Sequence, residues 1–231
     1  WGRLKLRAAL PRVLGDALPV GVNEKQFYQI VLSTWHDSDR RHAIDFVCDI
    51  GWRNWSYAPA LREVFPNALL TGVELDLFRR YANLWRRLDY ARAYAHQCTS
   101  TAGERAQVVH GDFMQLHLPS QANVAGRPRK NAFFSVFFPF VSAHPCRGWA
   151  LPSKYADFSS LIGKICTDVA RCGFEDAWLL TCLQGAWEAD IAHDAYLRNT
   201  LTPCIEIIES TATQSFWPSP HDTHVFLAGI H

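Results

Sequence analysis

Apolar and polar positions fall into alternating strand-like and helix-like blocks. Residues 43–48 form a short apolar run rich in strand formers, and Asp49-Ile50-Gly51 is turn chemistry. Ala60, Leu61, Val64 and Phe65 then recur at helical spacing; Ser56 is placed to cap that helix, and Pro66-Asn67 to stop it. Residues 68–73 are a second apolar run, followed by Glu74. Strand, turn, helix and strand in that order make the first βαβ unit of a doubly wound sheet, whose ligands sit at the carboxyl ends of the strands.

Upstream, the pattern predicts a helix over 24–35, capped by Asn23 and burying Phe27, Ile30, Val31 and Trp35, then a charged link over 36–42. Downstream, it predicts a long helix over 77–97. Leu77, Tyr81, Leu84, Leu88, Ala91 and Ala95 would face inward, Arg79 and Arg86 outward, with Arg80 and Arg87 on the flanks. Residues 107–110 read as a strand, 121–130 as a polar loop and 132–138 as a continuous apolar strand at the centre of a parallel sheet. A helix is expected over 155–172, with Phe158, Leu161, Ile162 and Ile165 inward and Gly173 at its end. A strand over 177–183 follows, then a helix opened by Gln184-Gly185 and running to about Asn199. Strands 204–213 and 223–230, joined through Pro218 and Pro220, close the chain.

These residues resemble the class I S-adenosylmethionine (SAM)-dependent methyltransferases. In that family the first strand ends in an acid and a glycine-rich turn, here Asp49, Ile50 and Gly51, and the second ends in an acid that takes the ribose hydroxyls, here Glu74. The family usually carries G-x-G-x-G in the turn; here Arg53 and Trp55 stand where the later glycines would. A nicotinamide dinucleotide suits this turn less well, because its pyrophosphate needs the close approach that the second glycine allows. The resemblance implies a Rossmann-like, seven-stranded, mostly parallel sheet with helices on both faces and a C-terminal antiparallel hairpin. It implies SAM as cofactor, held by Asp49, Gly51, Asn54, Trp55, Glu74, Leu75 and Phe138, with Asp112 on the adenine amino group and Phe113 against its ring. It also implies an acceptor pocket at the end of the fourth strand, built from Pro139, Phe140, Trp149 and Gln184. His144 and Glu188 are the candidate bases for an acceptor that must lose a proton. We expect residues 1–42 to form an N-terminal arm and helix, and residues 43–231 the methyltransferase domain.

Composition narrows the partners. Net charge is +1, which gives no overall pull toward nucleic acid or membrane. With 48% hydrophobic residues the chain has ample core, and its nine tryptophans read first as core packing. Seven cysteines without a C-x-x-C pair, and His221 and His224 without partners at zinc spacing, point to reduced thiols, no metal and a cytoplasmic location. The longest apolar run, 132–141, is too short to span a bilayer, and no signal peptide is expected. The arginines of the 77–97 segment read as a solvated face, so a small-molecule acceptor is preferred to RNA. The alternatives are a tRNA guanine-N7 methyltransferase and a methyltransferase-like binding module without catalysis. The tRNA family is resembled at Phe138-Pro139, but it carries Asp where Phe140 stands and Thr-Asp where Thr181-Cys182 stand.

Overall fold

The computed structural model describes residues 24–33, 35, 38–81, 83–99, 106–118, 130–148, 151–200, 205–213 and 222–230. The readings placed on the N-terminal arm, the Asn23 cap, nearly all of the 121–130 loop, Trp149, Cys204, Pro218, Pro220 and His221 lie outside them. The chain divides into two compact units, Trp1–Leu116 and His117–His231.

In the first unit α1 (Glu24–Ser33) and α2 (Ser38–His42) precede β1 (Phe46–Ile50), α3 (Ala58–Val64), β2 (Leu69–Glu74), α4 (Arg87–Cys98) and β3 (Ala106–His110). The strands run parallel in the order β3-β2-β1. β1 and β2 are buried at every position, as expected of strands covered on both faces. α1 buries Phe27, Tyr28, Val31 and Leu32, and Tyr28 stacks on Tyr57 with ring centroids 3.8 Å apart. Ile30, expected inside, is 46% exposed, because the buried stripe runs through 27, 28, 31 and 32 and leaves position 30 outside it. The cap of α3 also differs from expectation. Tyr57 is the N-cap, without a side-chain bond, while the Ser56 amide donates to Asn54 Oδ1 at 3.4 Å. Pro59 in the first turn needs no such cap, since it has no amide hydrogen to satisfy.

The long helix expected over 77–97 is the largest correction. Only 87–98 is helical; 77–88 forms a hairpin. The Arg87 amide donates to the Arg79 carbonyl at 3.0 Å and the Tyr81 amide to the Trp85 carbonyl at 2.8 Å, and Arg80 and Arg86 pair as an antiparallel bridge. Asn83 turns the chain by accepting the Trp85 amide at 3.2 Å, and Leu84 at the tip has φ 67° and is 72% exposed. Asparagine's side chain competes with the helix for backbone donors, so a helical spacing of apolar residues does not suffice here. Two further anchors fix the hairpin. Asp76 takes Arg87 at 3.4 Å and Arg79 at 3.6 Å, and the Asn83 side-chain amide donates to the Tyr90 hydroxyl at 2.5 Å. Arg87 is therefore buried, and no continuous basic helix face exists.

The second unit holds β4 (Asn131–Phe137), α5 (Ala143–Gly148), a 3₁₀ turn (Ser153–Ala156), α6 (Phe158–Cys172), β5 (Asp176–Gln184), α7 (Ala186–Thr200), β6 (Ile205–Thr213) and β7 (Thr223–Ile230). Strand order is β4-β5-β7-β6; β4 and β5 are parallel, while β7 is antiparallel to both β5 and β6. The expected C-terminal antiparallel hairpin is present. The helix expected from residue 155 begins at Phe158, because Asp157 caps it and the preceding turn is 3₁₀. Gly173 ends it at φ 69°, as expected. Among the described residues six cysteines are buried and outside any disulfide. Burial pushes the thiols of Cys146, Cys172 and Cys182 above their ordinary range, which keeps them in the unreactive protonated form.

The α6 cap is testable through pH. The Ser160 hydroxyl, then the Ser160 amide, hold the Asp157 carboxyl below its ordinary 3.8; Arg198 lowers it a little further, while partial burial opposes. A carboxyl lowered by folding contributes its stability in full above the unfolded value and loses it as pH falls through the folded one. Asp157→Ala should cost about 1 kcal/mol near neutral pH. The gap in melting temperature between the two proteins should hold from about pH 5 to 8 and shrink below about pH 4.

Candidate active site

Every second residue of the turn after β1 lies in the left-handed region: Gly51 at φ 76°, Arg53 at φ 59° and Trp55 at φ 57°. These are the three positions at which a G-x-G-x-G turn would carry glycine. Two of these positions hold Arg53 and Trp55 instead, and the backbone still has the conformation that glycine would serve. For residues with a Cβ that conformation costs roughly 1–2 kcal/mol each, so something must hold it.

The holding contacts are specific. The Gly51 amide donates to the Val73 carbonyl at 3.0 Å, and the Arg53 amide to Glu74 Oε2 at 2.7 Å. Glu74 Oε1 accepts the Asp76 amide at 2.8 Å, so one buried carboxylate ties the turn to the end of β2. Trp55 is fully buried, and its indole N–H donates to Asp49 Oδ2 at 2.8 Å. Trp52 stacks on it with centroids 5.3 Å apart. Gly72, opposite Asp49 in the β1–β2 register, leaves the space that the two indoles occupy. A Cβ there would meet Trp52 Nε1 at 2.6 Å and Trp55 Cε2 at 2.9 Å. Sequence reading passed over Trp52 and Gly72, although a glycine inside a strand is a signal of close approach.

Arg53 is exposed and its backbone amide is held by Glu74. Its left-handed backbone is the reason Arg53→Gly should raise stability by about 0.5–1 kcal/mol, the relief of strain exceeding glycine's added entropy in the unfolded chain. Thermal melting checks this; a lower melting temperature would mean that the guanidinium itself holds the turn.

The other expected cofactor contacts divide. Leu75 is half-buried, with its carbonyl 3.0 Å from His110 Nε2. Asp112 stands at the end of β3, where Oδ1 accepts the Met114 amide at 3.0 Å and Oδ2 the Gln115 side-chain amide at 3.2 Å. Asn54 is half-buried and turns the chain through Ser56. Trp55 and Phe113 are both buried, so their rings serve as packing beneath the turns.

The residues present fit SAM. Gly51 is exposed, and the space where its side chain would stand is open, so the backbone can approach a ligand there. A carboxylate offers about four lone-pair sites. The two amides at Glu74 use one on each oxygen, leaving capacity for two hydroxyls.

In the second unit β4 and β5 end at one sheet edge, with Phe137 paired to Cys182. Phe138 follows at φ 55°, its amide donating to the Cys182 carbonyl at 2.7 Å. Phe138, Pro139 and Phe140 are half-buried, and His144 is exposed on α5. Gln184 ends β5, and its backbone N–H donates to Glu188 Oε2 at 3.0 Å. Glu188 thus closes the first turn of α7, a structural task that competes with the role of base.

No family model matches the chain, and no curated protein matches it in sequence. Solved structures match it in fold. A SAM-dependent methyltransferase from Aquifex aeolicus superposes with a TM-score of 0.51 at 12% identity, over 97% of this chain and 98% of its own. A human methyltransferase 10 domain containing protein gives 0.52 at 12%, over 97% and 96%. The chain has the fold of the class I SAM-dependent methyltransferases. M. jannaschii TYW2, solved in complex with AdoMet, gives 0.51 at 8% identity, over 93% of this chain and 78% of its own. At such identities the likeness is one of fold.

Proposed function

We propose that this chain binds SAM and transfers its methyl group to a small-molecule acceptor. The observation that carries the reading is the left-handed backbone at Gly51, Arg53 and Trp55, kept without glycine at two positions and clamped to Glu74. Such strain persists where surroundings over-determine it, commonly at ligand sites. In this reading residues 43–231 are the catalytic domain. Net charge near zero favours a small acceptor, and buried thiols suit a cytoplasmic location. Among the described residues no helix is long and apolar enough to cross a membrane, and no three His, Cys, Asp or Glu side chains cluster as metal ligands would.

When bound, SAM supplies an electrophilic methyl on a sulfonium, open to in-line displacement. The chain's part is to bind, align and exclude water, since alignment accounts for much of the rate. Glu74 would accept the ribose hydroxyls and Asp112 the adenine amino group, while the Gly51 turn lets the backbone approach. Phe138 would lie against the cofactor, and Pro139, Phe140, Trp149 and Gln184 would shape the acceptor's place. His144 is the better candidate base, because it is exposed and Glu188 is engaged. Phe140→Ala or His144→Ala should reduce turnover while SAM affinity stays within about threefold. Loss of SAM affinity with the fold intact would move this loop into the cofactor site.

A binding module without catalysis is the second reading. It is favoured by the occupied lone pairs and deep burial of Glu74. Calorimetric titration with SAM decides between them: a chain that takes up no SAM at millimolar concentration is not the enzyme.

A further inference from the structure

The 77–88 hairpin carries four arginines and no acid. Asp76, just before it, pairs with Arg79 and Arg87. Arg80 and Arg86 remain, and they stand directly opposite each other in the antiparallel bridge. Partners in such a bridge project on the same face, and like charges placed so are destabilising. Among the described residues neither guanidinium is ion-paired with an acid, and the acid nearest Arg86 in sequence, Asp89, spends Oδ2 on the Arg86 backbone amide at 3.1 Å. The Arg86 guanidinium lies 5.6 Å from the centroid of the Phe78 ring. That ring is 51% exposed and meets His110 edge-on at 4.6 Å. His110 ends β3, so the group sits at the carboxyl edge of the three-stranded sheet, where ligands of open α/β sheets bind.

We propose that Arg80, Arg86 and Phe78 form a site for a small ligand that joins a terminal phosphate to a planar ring, of the mononucleotide class. Arginines at paired positions on one face can together match the oxygens of a phosphate dianion, which takes planar, bidentate donors from each. A bound dianion converts their mutual repulsion into two attractions. The exposed part of the Phe78 ring offers a stacking surface for the base, and Arg86 already lies against it. Two arginines make a fork for one phosphate rather than a track along a strand, in keeping with the net charge of +1. The site is distinct from Glu74 and needs no methyl transfer, so it stands or falls apart from the proposed function.

Calorimetric titration of the full chain tests it, using uridine monophosphate, whose pyrimidine is unlike the cofactor's adenine. Uridine monophosphate should bind at least about tenfold more tightly than uridine or inorganic phosphate, because both halves of the site are used. Arg80→Ala and Arg86→Ala should each weaken it by about tenfold or more. Phe78→Ala should weaken uridine monophosphate several-fold and leave inorganic phosphate unchanged. Arg80 is exposed, so its replacement should keep the wild-type melting temperature. Binding no tighter than that of phosphate, or unaffected by both arginine variants, would overturn the proposal. So would tighter binding of a single-stranded oligouridine lacking a terminal phosphate, which would make the hairpin a strand-binding surface. Complete displacement by S-adenosylhomocysteine would place the nucleotide in the cofactor site and equally reject it.

Discussion

Glu74→Ala is expected to lose SAM affinity and stability together. The carboxylate projects from the end of β2, and hydrogen bonds to a charged group contribute roughly 1.5–3 kcal/mol each. Losing two ribose hydroxyls should weaken SAM by about 10- to 100-fold or more. The same change strips acceptors from the Arg53 and Asp76 amides, costing about 1–3 kcal/mol for each amide left unsatisfied. Arg53 then has less to hold its left-handed backbone. Glu74→Gln keeps the shape and one accepting oxygen, but turns an NH₂ toward the second amide, so it should fall between wild type and alanine on both scales. Calorimetry well below the melting temperature separates the two effects. Unchanged affinity in Glu74→Ala would remove the ribose assignment, and an unchanged melting temperature would remove the clamp.

Gly72→Ala should be the most disruptive single methyl in the first unit. Its Cβ would stand 2.6 Å from Trp52 Nε1 and 2.9 Å from both Trp52 Cε2 and Trp55 Cε2. Those atoms belong to buried, stacked rings, and Trp55 is anchored on Asp49, so neither has free space to move into. Overpacking of this kind costs about 1–3 kcal/mol, occasionally more. Each kcal/mol lowers the melting temperature of a chain this size by about 2–4 °C. Because the indoles carry the turn, SAM affinity should fall as well. A double-mutant cycle gives the decisive comparison. Trp52→Phe removes the nearest atoms, so Gly72→Ala should cost less in that background. Equal cost in both backgrounds would mean that the clash is relieved elsewhere.

What the sequence determined by itself is the order of strands and helices and the places where chemistry collects. The 43–74 block reads as strand, turn, helix and strand because buried parallel strands leave continuous apolar runs and the turn between them needs Gly51. Gly173 marks a helix end and 223–230 a strand for equally local reasons. Tertiary structure alone decided the rest. An apolar spacing of three and four over 77–97 fits a helix, but the Asp76 ion pairs, the Asn83 turn and Tyr90 are contacts that no spacing displays, and together they favour a hairpin. Arg53 and Trp55 read as a damaged glycine turn, because a sequence shows which residue is absent and not what holds the backbone in its absence. Here that is the Glu74 carboxylate, 21 positions away, and the space at Gly72 that admits two indoles. Local propensity acts over a few residues, whereas a left-handed tryptophan is stable only when burial and hydrogen bonds from distant segments exceed its strain.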